Sequence, residues 1–128
     1  MEPAAMTELR EAGPLDIPNQ NWGADYFDAS NMLSIFVTGN FINAGRYSSE
    51  AFDTAYNTAL TTVDNAERME LLHQAEQTLV VDEVGMIPLY HSKTVVLYSD
   101  DVVSNVIFDA NGKIELQHAV VTGGAASN

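Results

Sequence analysis

The strongest constraint in the sequence lies between residues 48 and 82. Ala51, Phe52, Ala55, Tyr56, Ala59 and Leu60 recur at i, i+1, i+4, i+5, i+8 and i+9, which places them on one face at a 3.6-residue period. Ser48 or Ser49 stands where an N-cap is wanted, because a hydroxyl there accepts from a backbone amide that the first turn leaves without a carbonyl. Asp64 opens a second helix. Its carboxylate suits the N3 amide, Glu67 suits the return bond of a capping box, and Met69, Leu72, Ala75 and Leu79 form the apolar stripe. Helices near 50 to 62 and 65 to 82, joined by so short a link, form an antiparallel pair. Their matched stripes need an apolar surface to cover them.

That surface is expected from the residues that follow. Residues 86 to 91 and 93 to 99 have the apolar and aromatic content of strands, with Pro88 placing the first at an edge or an end. Residues 102 to 108 and 113 to 121 flank Asp109-Ala110-Asn111-Gly112, whose Asn-Gly pair tolerates the positive φ of a hairpin turn. The expected architecture is α/β: a helix pair packed on β-strands that include 86 to 90 and 94 to 98, followed by a C-terminal β-hairpin. Residues 122 to 128 read as a flexible tail.

Ahead of the helices the pattern is weaker. Residues 7 to 12 suit one helical turn stopped by Gly13-Pro14, and Leu15-Asp16-Ile17 is at most a strand fragment before Pro18. Residues 19 to 28 follow neither the helical nor the strand period. Ser30 is placed to cap a short helix over 31 to 36, and 38 to 49 is a polar loop.

Composition excludes several classes of function. A chain of 128 residues supports one core that buries about two-thirds of its unfolded surface. Eighteen acids against five bases give a net charge of −13, and the bases (Arg10, Arg46, Arg68, Lys93, Lys113) are spread singly. Without a basic patch, neither nucleic acid nor an anionic membrane is an expected partner. The absence of cysteine removes disulfides, thiolate zinc sites and a cysteine nucleophile. No stretch approaches the roughly 20 apolar residues that span a bilayer, and the opening residues carry acids where a secretory signal carries bases, so the chain as written reads as soluble and untargeted.

Catalytic fingerprints are missing as well. There is no G-x-S-x-G, P-loop, H-E-x-x-H or dinucleotide glycine pattern, and His73, His91 and His118 fall in different elements without a ligand spacing. Asp109-Ala110-Asn111-Gly112 starts like a calcium loop but has its glycine at the fourth position rather than the sixth. No metal and no cofactor are expected. Asp25 and Asp28 make a poor hydrolytic carboxylate pair, three residues apart in an irregular stretch, so an enzyme is not expected either.

One stretch remains, Trp22-Gly23-Ala24-Asp25-Tyr26-Phe27-Asp28. With the short helix through Met32, Leu33 and Phe36, then Asn43, Arg46-Tyr47-Ser48 and Phe52-Asp53, it resembles the carboxyl-terminal part of the family 5 solute-binding proteins. These are the oligopeptide-, dipeptide- and nickel-binding receptors of ABC importers. The likeness continues through Asp64-Asn65-Ala66-Glu67-Arg68, Ala75-Glu76-Gln77, Leu79, Asp82-Glu83 and Ile87-Pro88-Leu89-Tyr90-His91, covering residues 8 to 120. Two positions depart from the family pattern: Ala29 stands where a proline usually follows the second acid of W-x-A-D-Y-x-D-P, and Pro18 interrupts the strand that usually precedes the tryptophan.

The resemblance implies a fragment of a larger, two-lobed periplasmic-binding-protein-like fold, with a secretory or lipoprotein signal at the missing amino end. Residues 1 to 99 would belong to the second ligand-binding lobe, and 100 to 121 would be a hairpin returning to the first. It implies a periplasmic or cell-surface location, a peptide ligand and an ABC permease of the inner membrane as partner. In the peptide-binding branch the aspartate of W-x-A-D pairs with the ligand's α-amino group, a role that falls here on Asp25, with Trp22 walling the pocket and Ala24, Tyr26 and Asn43 beside it. The chemistry fits: an ammonium taken out of water needs a fixed anion, and an aromatic face adds apolar contact and cation–π attraction. The plainer alternative makes Trp22 a core anchor and Asp25 the cap of the next helix or of a turn. A nickel chelate or haem is the alternative ligand. A self-associating structural fragment is the alternative role, with a second copy pairing the unfilled strand edges as a homodimer.

Overall fold

The structure is a computed structural model and describes residues 8, 12, 17 to 93, 95 to 99, 102 to 109 and 112 to 121. The turn expected at 7 to 12 and the fragment at 15 to 17 fall mostly outside these residues. The tail at 122 to 128 lies wholly outside them. Helices and small antiparallel sheets make the protein mixed α and β. It divides into two units, Met1–Pro88 and Leu89–Asn128.

The first unit contains α1 (Ala29–Ser34), α2 (Glu50–Thr61) and α3 (Asn65–Gln77). Ser49 caps α2, its hydroxyl accepting from the Phe52 amide, and Asp64 caps α3, accepting from the Glu67 amide at 2.9 Å. Helix α1 begins differently from expectation. Asp28 rather than Ser30 is its cap: the Asp28 carboxylate accepts from the Ser30 amide at 2.8 Å, and Ser30 lies buried inside the first turn. Both residue types can cap, and the extended backbone at Asp28 decides between them.

Helix α2 packs mainly on α3, and α1 packs on both. The core is Leu33, Phe52, Tyr56, Ala59, Leu72, Ala75 and Leu79, edged by Phe36, Val37, Tyr47, Met69 and Met86. Phe52, Tyr56 and Ala59 are the buried stripe of α2, while Ala51 and Leu60 face outward. Phe52 stacks on Tyr56 with centroids 6.1 Å apart and meets the Tyr47 ring edge-on at 5.7 Å.

Helix α3 continues into a π-helical turn, Thr78–Asp82, so the helical run ends near residue 82 as its pattern predicts. The Thr78 hydroxyl donates to the Gln74 carbonyl at 2.9 Å, a back-bond that competes with the ladder where it widens. The turn closes with the Glu83 amide on the Thr78 carbonyl and the Gly85 amide on the Leu79 carbonyl. Between them Val84 adopts φ 51°, a left-handed conformation costly for a β-branched residue. Val84 is largely exposed, so replacing it forfeits little packing. Val84→Gly is expected to stabilise the chain by about 0.5–1 kcal/mol, the relief of Cβ crowding outweighing glycine's entropy. An unchanged or lower denaturation midpoint contradicts this.

Glu83 fastens this end to the start of α2. It accepts from the Tyr47 hydroxyl at 2.7 Å and from the Ser49 hydroxyl at 3.0 Å. Gly85 lies against the Tyr47 ring so closely that a Cβ there would overlap it. Burial first, and the Glu83 hydrogen bond second, push the Tyr47 phenol from its ordinary 10.0 up to about 12. A raised acid pKa favours the neutral form in the folded chain. That contribution is fully present below pH 10 and is lost as pH climbs to about 12. The stability advantage of the parent over Tyr47→Phe is therefore expected to shrink across that window, with Tyr56, also raised by burial, common to both proteins. A difference that stays constant with pH contradicts the assignment.

The strands expected at 86 to 91 and 93 to 99 are not formed. Residues 86 to 93 and 95 to 99 carry no strand, and within the first unit the helix pair packs with α1, Tyr47 and Met86. A strand exists only through its ladder. Among the described residues the strands are all within 103 to 121 and pair with one another, leaving Ile87, Leu89, Val95 and Leu97 exposed.

The hairpin in the second unit is formed. Strands β1 (Val103–Ser104) and β4 (Val120–Val121) pair antiparallel, as do β2 (Ile107–Phe108) and β3 (Ile114–Glu115). The turn is closed by the Asp109 amide on the Lys113 carbonyl, the Lys113 amide on the Asp109 carboxylate and Gly112 at φ 75°. Between the two ladders, residues 116 to 119 sit opposite 105 and 106, and Asn105 takes φ 57°. The inserted residues break the hairpin into two short pieces.

Candidate functional site

Residues 17 to 28 form no regular element, yet polar contacts fix their path. The Gln20 side-chain amide donates to the Ile42 carbonyl at 3.2 Å, and Pro18 lies beside Gly45, so the segment enters along the 38 to 49 loop. At its far end the Asp28 amide donates to the Tyr26 carbonyl at 2.9 Å and the Asn31 amide to the Asp28 carbonyl at 3.1 Å. The buried Asn31 side chain accepts from the Asp25 amide at 3.0 Å. Asp28 also receives Arg68, whose Nη2 stands 2.6 Å from Oδ1. Arg68 first, with Ser30 assisting, holds the Asp28 carboxyl well below the usual carboxylate range.

The residues expected to meet ligand fare differently. Asp25 has its backbone held while its carboxylate is exposed, with no hydrogen bond or ion pair among the described residues. The capping role that competed for Asp25 belongs to Asp28. Trp22 is half-buried, and its indole N–H is buried with no acceptor among the described residues. Ala24 is half-buried and Tyr26 about half exposed. Asn43 is buried and engaged within its own loop: its Nδ2 donates to the Tyr47 carbonyl at 2.7 Å and its Oδ1 accepts from the Tyr47 amide at 3.1 Å. The structure brings the loops of Trp22 and Asn43 side by side through Gln20 and Pro18, with Asn43 serving as a brace.

Asn31, Arg68, Gln20 and Glu83 hold this region; Arg68 and Glu83 stand inside the blocks that carry the resemblance, but the sequence assigns a role to none of the four. Arg68 lies 40 residues from Asp28 and Glu83 lies 36 from Tyr47, beyond the reach of any local rule. Two open grooves of about 530 and 770 Å³ run along α2, both lined by Ser48, Glu50, Thr54 and Thr58, and neither involves residues 22 to 28. Among the described residues no group of three His, Asp or Glu side chains could hold a metal ion, and no helix is long and apolar enough to cross a membrane.

No family model matches the chain. Individual proteins do. The chain is 31% identical over 84 residues to the periplasmic oligopeptide-binding protein OppA of Escherichia coli strain K12, a match that covers 66% of this chain and 15% of that protein. It is 29% identical over 119 residues to the dipeptide-binding protein DppE of Bacillus subtilis strain 168, covering 93% of this chain and 22% of that one. The chain is related to a segment of the family 5 solute-binding proteins. A third relative within the family, the probable deoxycholate-binding periplasmic protein YgiS of Escherichia coli, is 29% identical over 97 residues, covering 76% of this chain and 18% of its own length. The chain thus spans between about a seventh and a fifth of the family members it matches.

Proposed function

We propose that the chain is part of an ABC-importer substrate-binding protein that captures peptides and hands them to a membrane permease, by recognition rather than catalysis. Residues 1 to 99 contribute to one lobe of the binding cleft, and 100 to 121 form the hairpin that returns to the other. The receptor works in the periplasm or at the cell surface. Two of the relatives are named for oligopeptide and dipeptide binding.

The observation that carries the reading is Asp25: an exposed carboxylate with no partner among the described residues, on a backbone anchored by Asn31. An anion held in place in this way is suited to a ligand's α-ammonium. Trp22 supplies an apolar wall next to Ala24 and Tyr26. Asn43 contributes by shaping the neighbouring loop.

The affinity belongs to the closed receptor. Tight sites bury most of a ligand's surface, and residues 22 to 28 line neither groove of this chain. Isothermal calorimetry with trialanine is expected to give binding to the full-length receptor and none of micromolar strength to the isolated chain. Micromolar binding by the isolated chain contradicts the two-lobed reading. A full-length receptor that ignores trialanine contradicts the peptide assignment.

A further inference from the structure

We propose that Arg68 and Asp28 are positioning residues: from α3, the Arg68 guanidinium clamps the loop that carries Trp22 and Asp25, through a relay of hydrogen bonds that ends on the Asp25 backbone. Its importance for ligand binding rests on the proposed function; the clamp itself does not.

The relay can be followed atom by atom. Arg68 Nη2 lies 2.6 Å from Asp28 Oδ1, the same oxygen that accepts from the Ser30 amide at 2.8 Å, so one atom both starts α1 and takes the long-range bond. The Asp28 amide donates to the Tyr26 carbonyl, fixing the loop one step back. The Asp28 carbonyl accepts from the Asn31 amide, and the Asn31 side chain accepts from the Asp25 amide at 3.0 Å. Arg68 thus connects, through Asp28 and Asn31, to the backbone of Asp25.

The position of Arg68 suits the task. It sits in the first half of α3, whose Leu72 and Ala75 are sealed in the core together with Leu79 of the π-helical turn that follows, so the clamp is fixed to the element that carries much of the buried cluster. The side chains of Arg68 and Asp28 are 21% and 32% exposed, leaving the pair open to solvent at its rim. Such a pair adds little to the stability of the whole fold and acts on the local loop. Without Arg68, α1 keeps its cap and its packing, but the loop loses the bond that spans 40 residues.

The test uses this chain, whose one tryptophan is Trp22 and reports the loop without a label. Arg68→Gln and Asp28→Asn each remove the ion pair, and asparagine keeps the cap because it serves as well as aspartate at that position. Each variant is expected to raise acrylamide quenching of Trp22 and amide exchange at residues 23 to 31 by about two- to fivefold, the range an exposed pair supports, with exchange at Phe52, Leu72 and Leu79 unchanged. The double variant should be no looser than either single one, and Arg68→Lys should recover part of the protection. Unchanged quenching and loop exchange in Arg68→Gln overturn the clamp. So does equal loosening of loop and core, which makes the pair a general structural contact. In the full-length receptor, Arg68→Gln should weaken trialanine binding by a similar factor. A loosened loop with unaltered trialanine affinity sustains the clamp and instead removes the loop from the binding site.

Discussion

Asp25→Asn in the full-length receptor is expected to weaken binding of a free tripeptide by about two to three orders of magnitude. Asparagine keeps the shape of the side chain and removes its charge, leaving the ligand's ammonium enclosed without a counter-ion. Removing one partner from a buried pair costs about 3–5 kcal/mol, and each 1.4 kcal/mol is about tenfold in affinity. Part of that cost is visible in the chain itself: the Asp25 carboxylate has no partner of its own among the described residues, so it meets a ligand without first breaking an internal bond. Acetylating the amino terminus of the peptide removes the same charge from the other side. A double-mutant cycle by calorimetry, with acetylation as the second change, should therefore show strong coupling, the variant discriminating far less between free and acetylated peptide than the parent. Glu70→Gln, which removes a charge from the exposed side of α3, should leave the discrimination intact. Additive losses in the Asp25 cycle would move the ammonium site elsewhere.

Phe52→Ala is expected to destabilise the chain by about 3–5 kcal/mol, which for a small domain worth about 5–15 kcal/mol is the difference between folded and marginal. Phe52 is completely buried and is the ring on which Tyr47 and Tyr56 both rest. Its removal leaves a cavity between α2 and α3 that neither tyrosine fills without leaving its own partner, Tyr47 being held by Glu83. Chemical denaturation followed by circular dichroism measures the loss. A change under about 1 kcal/mol, the scale of a surface substitution, would mean that the aromatic stack is not the centre of the core.

What the sequence makes legible and what it hides follow from the range over which each feature is decided. The caps at Ser49 and Asp64 and the stripes of Phe52, Tyr56, Leu72 and Leu79 are set within four or five residues, and the helix pair is found where those signals place it. The Asp109 to Gly112 turn is equally local, and the hairpin forms around it. Residues 86 to 99 have the composition of strands, but a strand also needs a neighbour, and composition says nothing about whether one is there. At α1 two good caps stand two residues apart, and propensity does not choose between Asp28 and Ser30. For the candidate site, Trp22 and Asp25 stand out by their motif, whereas the bond of Asn31 to the Asp25 amide and that of Arg68 to Asp28 become visible only in the folded chain.

Among the described residues, one cluster of buried side chains sets the size of the cooperative unit. Its members and edges fall between Leu33 and Met86, and no described residue beyond Pro88 is buried. Heat capacity of unfolding scales with the surface that folding hides, at about 12–15 cal/mol/K per residue for an ordinary domain. For the stretch that contributes to the cluster this amounts to about 0.7–0.8 kcal/mol/K, against about 1.5–1.9 for an ordinary domain of the whole chain's length. The slope of unfolding free energy against denaturant shrinks in the same proportion. Among the described residues, then, the buried cluster is that of a domain about half the chain's length, and the unfolding thermodynamics of the isolated chain are expected to follow it.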